Sequence, residues 1–417
     1  KETYPDIDYM IKTLFEKGNA SINIVDFFEK SGAEYFNNIA RLSPAWMKKF
    51  LGTDNESFNE LSIKISKDGD FKKISRKLLN GSLDIQISPE FEGNSIISIH
   101  KERRDPSIIF YLTEIKKDEL PKEILISNIY RIIFEYIHDL LYYNVWYLPS
   151  ERTGFVSLIT SQINVTYETN GLQKRPDYSN ITLLIPIPIQ QMVNLLGIIK
   201  EPSRFSSVLE KRMKKDKLKK LLVLADVLEN DIMGGMLGFE ENKTTKELSN
   251  LCYRFKDIPE TFLELPAVSS TVRDLAPLSI YLKCYLDKGD LIIIDEPEMN
   301  LHPLAQAKFV ELVGMMVNAG LNVILTTHSP YMVDHLSNLI KAEKKSNSEN
   351  RDSLKNLFYL KNSNAFISKD KVGIYLFENQ GVKSILDPDG SINWETFSKV
   401  SEELVKIDYY LDKVDDI

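Results

Sequence analysis

The sequence predicts an α/β fold in which a parallel sheet is accompanied by an antiparallel β lobe and helical segments. Two short apolar runs, 291–294 and 322–326, lie one helix length apart and predict neighbouring parallel strands buried in a sheet. Several β-rich runs between residues 61 and 113 are separated by Gly, Asp and Pro turns, which is typical of an antiparallel meander. At 417 residues the chain can bury one large core or two modest ones.

The N-terminal part combines helices with the meander. Apolar residues at helical spacing, among them Phe27, Phe28, Tyr35 and Phe36, predict helices over residues 6–51. The predicted strands are 61–65, 83–87, 95–100 and 108–113. A helix over 124–143 and a strand over 145–148 are expected to follow.

A lysine-rich segment, 211–220, lies between residues 206–210 and 221–228, and these flanking residues predict a long helix or a helix pair with an exposed basic middle. Its cations are Lys211, Arg212, Lys214, Lys215, Lys217, Lys219 and Lys220. A solvated face is the default explanation, and nucleic acid or an acidic partner protein is the alternative. No aromatic residue lies among the lysines, which disfavours stacking on single-stranded nucleic acid.

Two acidic residues, Asp295 and Glu296, directly follow the run 291–294, and Pro297 ends the strand. In open α/β sheets, ligands bind at the carboxyl ends of the strands. Two carboxylates at such an edge can divide the work of phosphoryl transfer, because one binds magnesium and the other positions the attacking water. An Asp-Glu pair after an apolar run also arises by chance, so a second feature is needed.

That second feature is His328. Residues 303–319 predict a helix that ends at Gly320, and the strand 322–326 then brings Thr327, His328 and Ser329 to the same edge, where His328 can reach a terminal phosphate. A lone histidine at a strand end is more often a structural residue. Both features in register, separated by one helix, favour a functional site.

The residues LIIIDEPEMNLHP at 291–303 and VILTTHS at 323–329 resemble the ABC-type ATPase heads of the SMC, RecF and OLD group. They are especially similar to the stand-alone AAA_15/AAA_21-like ATPases of bacterial phage-defence systems. The resemblance implies an α/β P-loop NTPase fold of ABC-ATPase type, with a mixed sheet core, an antiparallel β lobe and a helical insertion. It also implies that ATP and Mg²⁺ bind, and that two or more subunits sandwich ATP between them.

The resemblance assigns roles to individual residues. Asp295 corresponds to the Walker B aspartate that holds the metal, Glu296 to the catalytic glutamate, and His328 to the switch histidine. Residues 300–303, which include Asn300 and His302, correspond to the D-loop.

Upstream, LPAVSSTVRDLAPLSIYL at 265–282 resembles the signature motif of this group, in which a serine-rich turn opens a helix facing the partner subunit's nucleotide. Ser269 and Ser270 are then the phosphate-contacting residues, since free amides and small hydroxyls at a helix N-terminus form an anion site. An ordinary N-cap is the alternative. Thr271 stands where relatives often have Gly, a departure that affects how closely the backbone approaches a phosphate.

A Pro-x-x-Arg turn at 149–152 is similar to one in the stand-alone ATPases, which implies that Arg152 faces the nucleotide or the dimer interface. An arginine in an exposed surface turn is the alternative.

The sequence lacks the G-x-x-x-x-G-K-[ST] loop, whose amides and lysine hold the β and γ phosphates. The glycines at 234–238 have no such lysine and are interpreted as turn or bulge residues. Because relatives carry this loop near the N-terminus, we expect it upstream of Lys1; a degenerate ATPase is the alternative.

Composition bounds the remaining possibilities. With 52 basic and 60 acidic residues, the net charge of −8 argues against broad nucleic-acid binding, although not against a local basic patch. Cys252 and Cys284 give no disulfide framework, which indicates a cytoplasmic protein, and Cys284 is expected to be buried. No apolar run of about 18 residues and no secretory leader is present, so no membrane contact is expected.

The C-terminal part is predicted to close the fold. Residues 340–356 are polar and indicate an exposed linker, and 387–390 indicate a hairpin turn and not a metal site. The predicted closing strands are 357–360, 365–367 and 372–377. The chain thus divides into four blocks. These are 1–120 (helices and β lobe), 121–230 (helical region with the basic segment), 231–340 (signature, Walker B, D-loop and switch histidine) and 341–417 (linker with closing strands or helix).

Two classes of function compete. In the first, the protein is an ATP-driven, dimerising switch that senses or regulates bacterial anti-phage defence and controls a separate effector, for which a nuclease is the best candidate. A SMC- or RecF-like repair ATPase that binds duplex DNA is a variant of this class. In the second, the protein is a degenerate scaffold that does not depend on nucleotide. Retention of Asp295, Glu296 and His328 favours the first class, because a scaffold does not need all three groups at one edge.

Overall fold

The computed structural model describes residues 5–51, 56, 71–87, 97–112, 122–141, 144–154, 156, 187–241, 248–378, 381–393 and 395–414. The chain forms two compact units, Lys1–Asn144 with Ile185–Ile187, and Val145–Leu184 with Pro188–Ile417. The predicted strand at 61–65 lies outside the described residues.

The first unit contains a four-stranded antiparallel sheet in the order β1-β4-β3-β2 together with helices. Its elements are α1 (Pro5–Lys17), β1 (Asn19–Asn23), α2 (Ile24–Leu51), α3 (Phe71–Asn80), β2 (Leu83–Ile87), β3 (Ile97–Lys101), β4 (Ser107–Leu112) and α4 (Lys122–Leu141). The predicted meander is confirmed as β2, β3 and β4, and the predicted helix near 124–143 is confirmed as α4.

Alternating burial builds the core of this unit. Ile97 and Ile99 of β3 and Ile108 and Phe110 of β4 are fully buried, as expected when every second residue of a strand faces one side of the sheet. Strand β1 was not predicted. Its sequence, Asn-Ala-Ser-Ile-Asn, buries only two side chains. This alternation of buried and exposed residues is too short to predict a strand between two helices.

The second unit contains a three-stranded parallel sheet in the order β10-β9-β5 and a separate antiparallel sheet in the order β6-β7-β8. Its strands are β5 (Val145–Leu148), β6 (Gly235–Glu241), β7 (Leu248–Phe255), β8 (Phe262–Glu264), β9 (Leu291–Asp295), β10 (Asn322–Thr326), β11 (Tyr375–Glu378) and β12 (Gly381–Ser384). Its α-helices are α5 (Ile187–Leu196), α6 (Pro202–Met213), α7 (Asp216–Val227), α8 (Ser270–Cys284), α9 (Pro303–Ala319), α10 (Pro330–Lys345), α11 (Arg351–Lys355) and α12 (Glu395–Val414).

The elements predicted around Asp295 and Glu296 are confirmed. Helix α9 has the predicted bounds and ends at Gly320, which adopts the left-handed conformation with φ 102° that a side chain would strain. Strand β9 buries Ile292 and Ile294 completely. Strand β10 is less buried than predicted, since Ile324 is 49% exposed at the edge of the described sheet.

The lysine-rich segment forms the predicted helix pair, α6 and α7. Five of its lysines are exposed: Lys211, Lys214, Lys215, Lys219 and Lys220. Arg212 is a correction, because its side chain is buried, donates to the carbonyl of Leu286 and lies 3.9 Å from the Asp287 carboxylate. Arg212 lies on the buried side of α6 together with Phe205, so the exposed lysines form the basic surface of this segment.

The prediction of an exposed loop or linker at 340–356 is correct only for its middle, since 346–350 form a loop with 347–349 exposed, whereas most of the remaining residues are helical. The first part of the segment continues α10, where Ile340 and Ala342 are buried, and Arg351 pairs with Glu343 at 2.9 Å. The predicted strands at 357–360 and 365–367 are also wrong, since these residues form turns and a short 3-10 helix. Their apolar side chains pack onto helices without a paired strand, which a short apolar run does not reveal.

Two further predictions concern burial. Cys284 is buried as expected, and Cys252 is buried as well. Among the residues that the structure describes, no helix has the length and apolar composition needed to cross a membrane.

Candidate functional site

The site lies where the three parallel strands of the second unit end. Asp295 at the end of β9 is paired in register with Thr326 of β10, and Leu148 of β5 is paired with Ile294. The chain leaves all three strands at the same edge. The acidic pair and the loop that carries His328 are therefore brought together, as the strand-helix-strand pattern predicts.

The carboxylate of Asp295 is held from two sides. The Thr326 hydroxyl donates to its Oδ1, and the Tyr147 hydroxyl lies 3.4 Å from its Oδ2. Burial, and secondly the negative charge of Asp295, raise the pKa of Tyr147 to about 12, so this hydroxyl remains a donor at neutral pH. The edge offers hard oxygen ligands to a cation.

A magnesium ion fits this donor set. Mg²⁺ is usually bound through one or two carboxylates together with substrate phosphates and water, so a single aspartate is sufficient. Within the described ranges, no group of three or more His, Cys, Asp or Glu side chains is arranged to hold a metal by itself. Asp295 is therefore the residue that would hold the ion, with the nucleotide supplying further ligands.

Glu296 adopts an unusual backbone conformation. Its φ is 43°, in the left-handed region that costs non-glycine residues about 1–2 kcal/mol. Its N–H bonds to the backbone carbonyl of Thr326 at 3.2 Å and to the Thr326 hydroxyl at 3.1 Å. The tight turn aims the carboxylate at the edge, where its Oε1 lies 3.7 Å from Nε2 of His328. The Glu296 side chain is 35% exposed and that of His328 is 86% exposed, so both are open to a ligand.

Arg152 is placed differently from either expectation. It is neither an exposed turn residue nor directed at the open edge, because it is only 2% exposed and its guanidinium is enclosed by groups of the same chain. It donates to the backbone carbonyls of Asp295 at 2.7 Å and Glu296 at 3.3 Å, and to the Asp274 carboxylate at 2.8 Å. Arg152 thus ties the turn at Asp295 and Glu296 to helix α8 and positions the backbone of that turn.

Asp274, one turn into α8, completes this buried pair. Its carboxylate also accepts a 2.9 Å bond from the Thr153 hydroxyl. Burial raises its pKa to about 6, against the opposing effect of the Arg152 charge. Removing either partner would leave an uncompensated charge in the interior.

The serine-rich turn begins α8. Ser269 is its N-cap, and the Ser269 hydroxyl accepts from the Val272 amide at 3.3 Å. Ser270 is the first helical residue and is partly exposed. Thr271 donates from its hydroxyl to the carbonyl of Asn300 at 2.6 Å. Thr271 therefore joins the first turn of α8 to the loop at 300–303, a contact that the sequence did not indicate.

The D-loop continues from the acidic pair. Asn300 has a φ of 61°, which asparagine tolerates better than most residues, and its side chain is exposed. His302 is the N-cap of α9, where its Nδ1 accepts from the Leu304 amide at 3.3 Å. The side-chain amide of Gln306, through its Nε2, donates to the Leu301 carbonyl at 2.8 Å and fixes the end of this loop to α9.

Three residues at the site were not identified from the sequence. Thr326 had a usable signal, because the register of two adjacent strands places it beside Asp295. No comparable signal in the sequence indicated Tyr147 or Glu298. Tyr147 depends on β5 joining the sheet after a long segment of chain, and Glu298 depends on the fold of the turn in which it lies.

Part of the second unit matches a known protein family. Residues 222–334 match the AAA_21 family model, described as "AAA domain, putative AbiEii toxin, Type IV TA system". The matched segment contains α8, the acidic pair, the D-loop and His328. The match confirms the resemblance of this segment to AAA_21-like ATPases and agrees with an α/β nucleotide-binding domain. No curated protein matched the chain.

Proposed function

We propose that this protein is an ABC-type ATPase that hydrolyses ATP to ADP and phosphate and acts as a dimerising molecular switch. The observation that carries the proposal is the position of Glu296 and His328, 3.7 Å apart, beside the Asp295 carboxylate at the carboxyl edge of a parallel sheet. Phosphoryl transfer needs these three groups: a metal ligand, a group that orients water, and a contact for the terminal phosphate.

The residues divide the chemistry as follows. Glu296 accepts a hydrogen bond from the attacking water and orients it, an effect of about 10²- to 10⁴-fold for positioned general bases. His328 donates to the terminal phosphate and senses whether it is present. Asp295 would hold a magnesium ion, which would supply positive charge to offset that of the phosphates.

Hydrolysis also requires a phosphate loop, and the printed sequence contains none. The proposal therefore requires that a phosphate loop completes the site in the full-length protein. Direct measurement of ATP turnover by that protein is the first test.

Exposed apolar side chains beside the site support a dimer in which a second subunit covers it. Met299 and Leu304 flank the D-loop and are each 44% exposed, and Tyr331, at the start of α10, is 56% exposed. All three lie within five residues in sequence of Glu296, the D-loop or His328, and a second subunit that covers the site would bury them. In the proposed sandwich, the N-terminus of α8 from one subunit faces the nucleotide of the other.

We expect Ser270→Arg to block ATP-dependent dimerisation without unfolding the protein. A bulky cation at the first position of α8 opposes the helix dipole and fills the space for the partner's phosphate. Light scattering with ATP, in a Glu296→Gln background that retains the nucleotide, measures the effect. Ser203→Arg, at an exposed position in the first turn of α6, is the matched control. An unchanged ATP-induced dimer would contradict the role of α8.

The proposed biological role is the sensor or regulator of a bacterial anti-phage defence system that controls a separately encoded effector, for which we favour a nuclease. In this proposal, ATP binding and hydrolysis change the state of the ATPase, and the effector responds to that state. The matched family's description as a putative toxin of a type IV toxin-antitoxin system is in keeping with a defence context. Control requires that the ATP-bound and ATP-free forms differ in affinity for the effector.

The exposed lysines of α6, α7 and their connection are the preferred effector contact, because they contrast with the acidic chain. We expect the triple charge reversal of Lys214, Lys215 and Lys219 to Glu to abolish co-purification of the effector from the native operon. Reversal of three exposed lysines on α10, Lys341, Lys344 and Lys345, is the control and should leave co-purification intact. Loss of the complex in both variants would show a nonspecific charge effect.

The same lysines favour one alternative function, a SMC- or RecF-like repair ATPase that binds duplex DNA. That reading predicts DNA affinity that depends on ATP and falls steeply with salt. A protein that purifies alone, protects no host from phage and binds duplex DNA in this way would replace the defence proposal.

A further inference from the structure

We propose that Glu298 is a positioning residue that fixes the switch histidine, His328, against the catalytic turn. Its expected effect on turnover rests on the proposed ATPase function. Its effect on the backbone of residues 327–329, here called the switch loop, does not. The pattern of acidic residues gives Glu298 no role by itself, so the inference comes from the contacts of its side chain.

A single carboxylate oxygen of Glu298 holds the switch loop at two points. Its Oε1 accepts from the hydroxyl of Thr327 at 2.8 Å and from the backbone N–H of His328 at 2.5 Å. The Thr327 hydroxyl in turn accepts from the amide of Ser329 at 3.0 Å. Three consecutive residues of the switch loop are therefore linked, directly or through one hydroxyl, to Glu298.

The backbone on the other side of this contact is also fixed. Glu298 lies in the turn that follows Glu296, where the Met299 amide donates to the Glu296 carbonyl at 3.1 Å. The Glu298 carbonyl accepts from the Leu301 amide at 2.9 Å. The turn that carries the catalytic glutamate thus holds the loop that carries the histidine.

His328 needs such support because its own ring cannot supply it. The imidazole is 86% exposed, so packing does little to restrict where it points. Its position relative to Glu296 is set by its backbone, and the backbone N–H is the atom that Glu298 holds. A displacement of about 1 Å in a catalytic group can lower a rate by about 10²-fold.

The second oxygen of Glu298 makes an ordinary stabilising role less satisfactory. Oε2 is buried and has no hydrogen-bond partner among the described residues. A buried carboxylate oxygen without a donor is unfavourable for folding, and such exceptions in folded proteins call for a specific explanation. An ionised carboxylate accepts stronger, shorter hydrogen bonds than an amide, which accounts for a glutamate at a position where holding the loop firmly matters.

The first test measures turnover by the full-length protein. We expect Glu298→Ala to lower kcat by about 10- to 100-fold while the KM for ATP stays within about threefold, because the lost interaction acts on the transition state. Glu298→Gln keeps an acceptor oxygen and is expected to restore most of the loss. Asp334→Ala removes an exposed carboxylate early in α10 and serves as the matched control, with unchanged kcat.

The decisive arm is a double-mutant cycle with His328→Ala. If Glu298 acts through the histidine, Glu298→Ala has little further effect once the imidazole is gone. An equal loss of kcat in both backgrounds would overturn the proposal, and so would a rise in KM at constant kcat. Absence of ATP turnover in the wild-type protein would contradict the proposed function and would leave the structural part to the second test.

The second test needs no nucleotide. The chain has five histidines, so a sample labelled with ¹⁵N-histidine has five backbone amide signals, and His328→Ala identifies the one of interest. A short bond to a carboxylate shifts an amide proton downfield and slows its exchange. We expect the His328 signal alone to move upfield and exchange faster in Glu298→Ala. An unmoved signal would show that Glu298 does not hold the backbone N–H of His328 and would overturn the proposal.

Discussion

Glu296→Gln is expected to lower ATP turnover by at least about 100-fold while ATP binding is retained. The substitution keeps the size of the side chain and its place in the turn, but the amide cannot take a proton from water or polarise it as a carboxylate does. The backbone at this position is already held by two hydrogen bonds to Thr326, so the fold of the turn should not change. Single-turnover hydrolysis and equilibrium ATP binding by the full-length protein measure the two quantities.

Glu349→Gln is the matched control for this prediction, since it makes the same chemical change at an exposed position of the same unit. Its turnover should equal that of the wild type. If Glu296→Gln retains turnover within about threefold of wild type, Glu296 does not orient the attacking water and the catalytic assignment is wrong.

The residues that the sequence identified at this site share one property: their positions follow from local patterns. A buried strand ends at Asp295, one helix with a glycine cap separates it from the next strand, and that strand leads to His328. Strand period, helix length and the C-terminal glycine are encoded within some 40 consecutive residues, and the parallel register then follows.

The features that were missed depend on contacts between distant parts of the chain. Arg152 and Asp274 are 122 residues apart, and nothing in either local sequence indicates that they form a buried pair. The prediction of a loop or linker that begins at Ile340 was wrong for a related reason. Lys- and Ser-rich residues after Ile340 have a loop-like composition, yet the burial of Ile340 and Ala342 against the fold continues the helix.

Arg152→Met is expected to cost about 3–5 kcal/mol of the free energy of unfolding of the second unit. Methionine carries no charge and donates no hydrogen bond, so the variant leaves Asp274 buried without its cation and removes the bonds that Arg152 donates to the carbonyls of Asp295 and Glu296. Urea unfolding followed by tryptophan fluorescence measures the effect, because Trp146 lies in this unit. Arg204→Met is the matched control, since that arginine pairs with Glu201 in solvent, where such pairs contribute about 0–1 kcal/mol.

The charge of Asp274 sets the pH dependence of this loss. In the wild type the pKa of Asp274 is about 6, and loss of the Arg152 charge must raise it further. Well below pH 6 the carboxyl is protonated in both folded proteins, so the variant loses only hydrogen bonds. As the pH rises through 6, the wild type ionises beside its cation while the variant resists ionisation, and the stability deficit grows.

The double variant Arg152→Met, Asp274→Asn removes both charges and should recover part of the stability above pH 6. A deficit that is the same at pH 5 and pH 8, or a double variant less stable than Arg152→Met, would show that the buried ion pair does not hold the catalytic turn to α8.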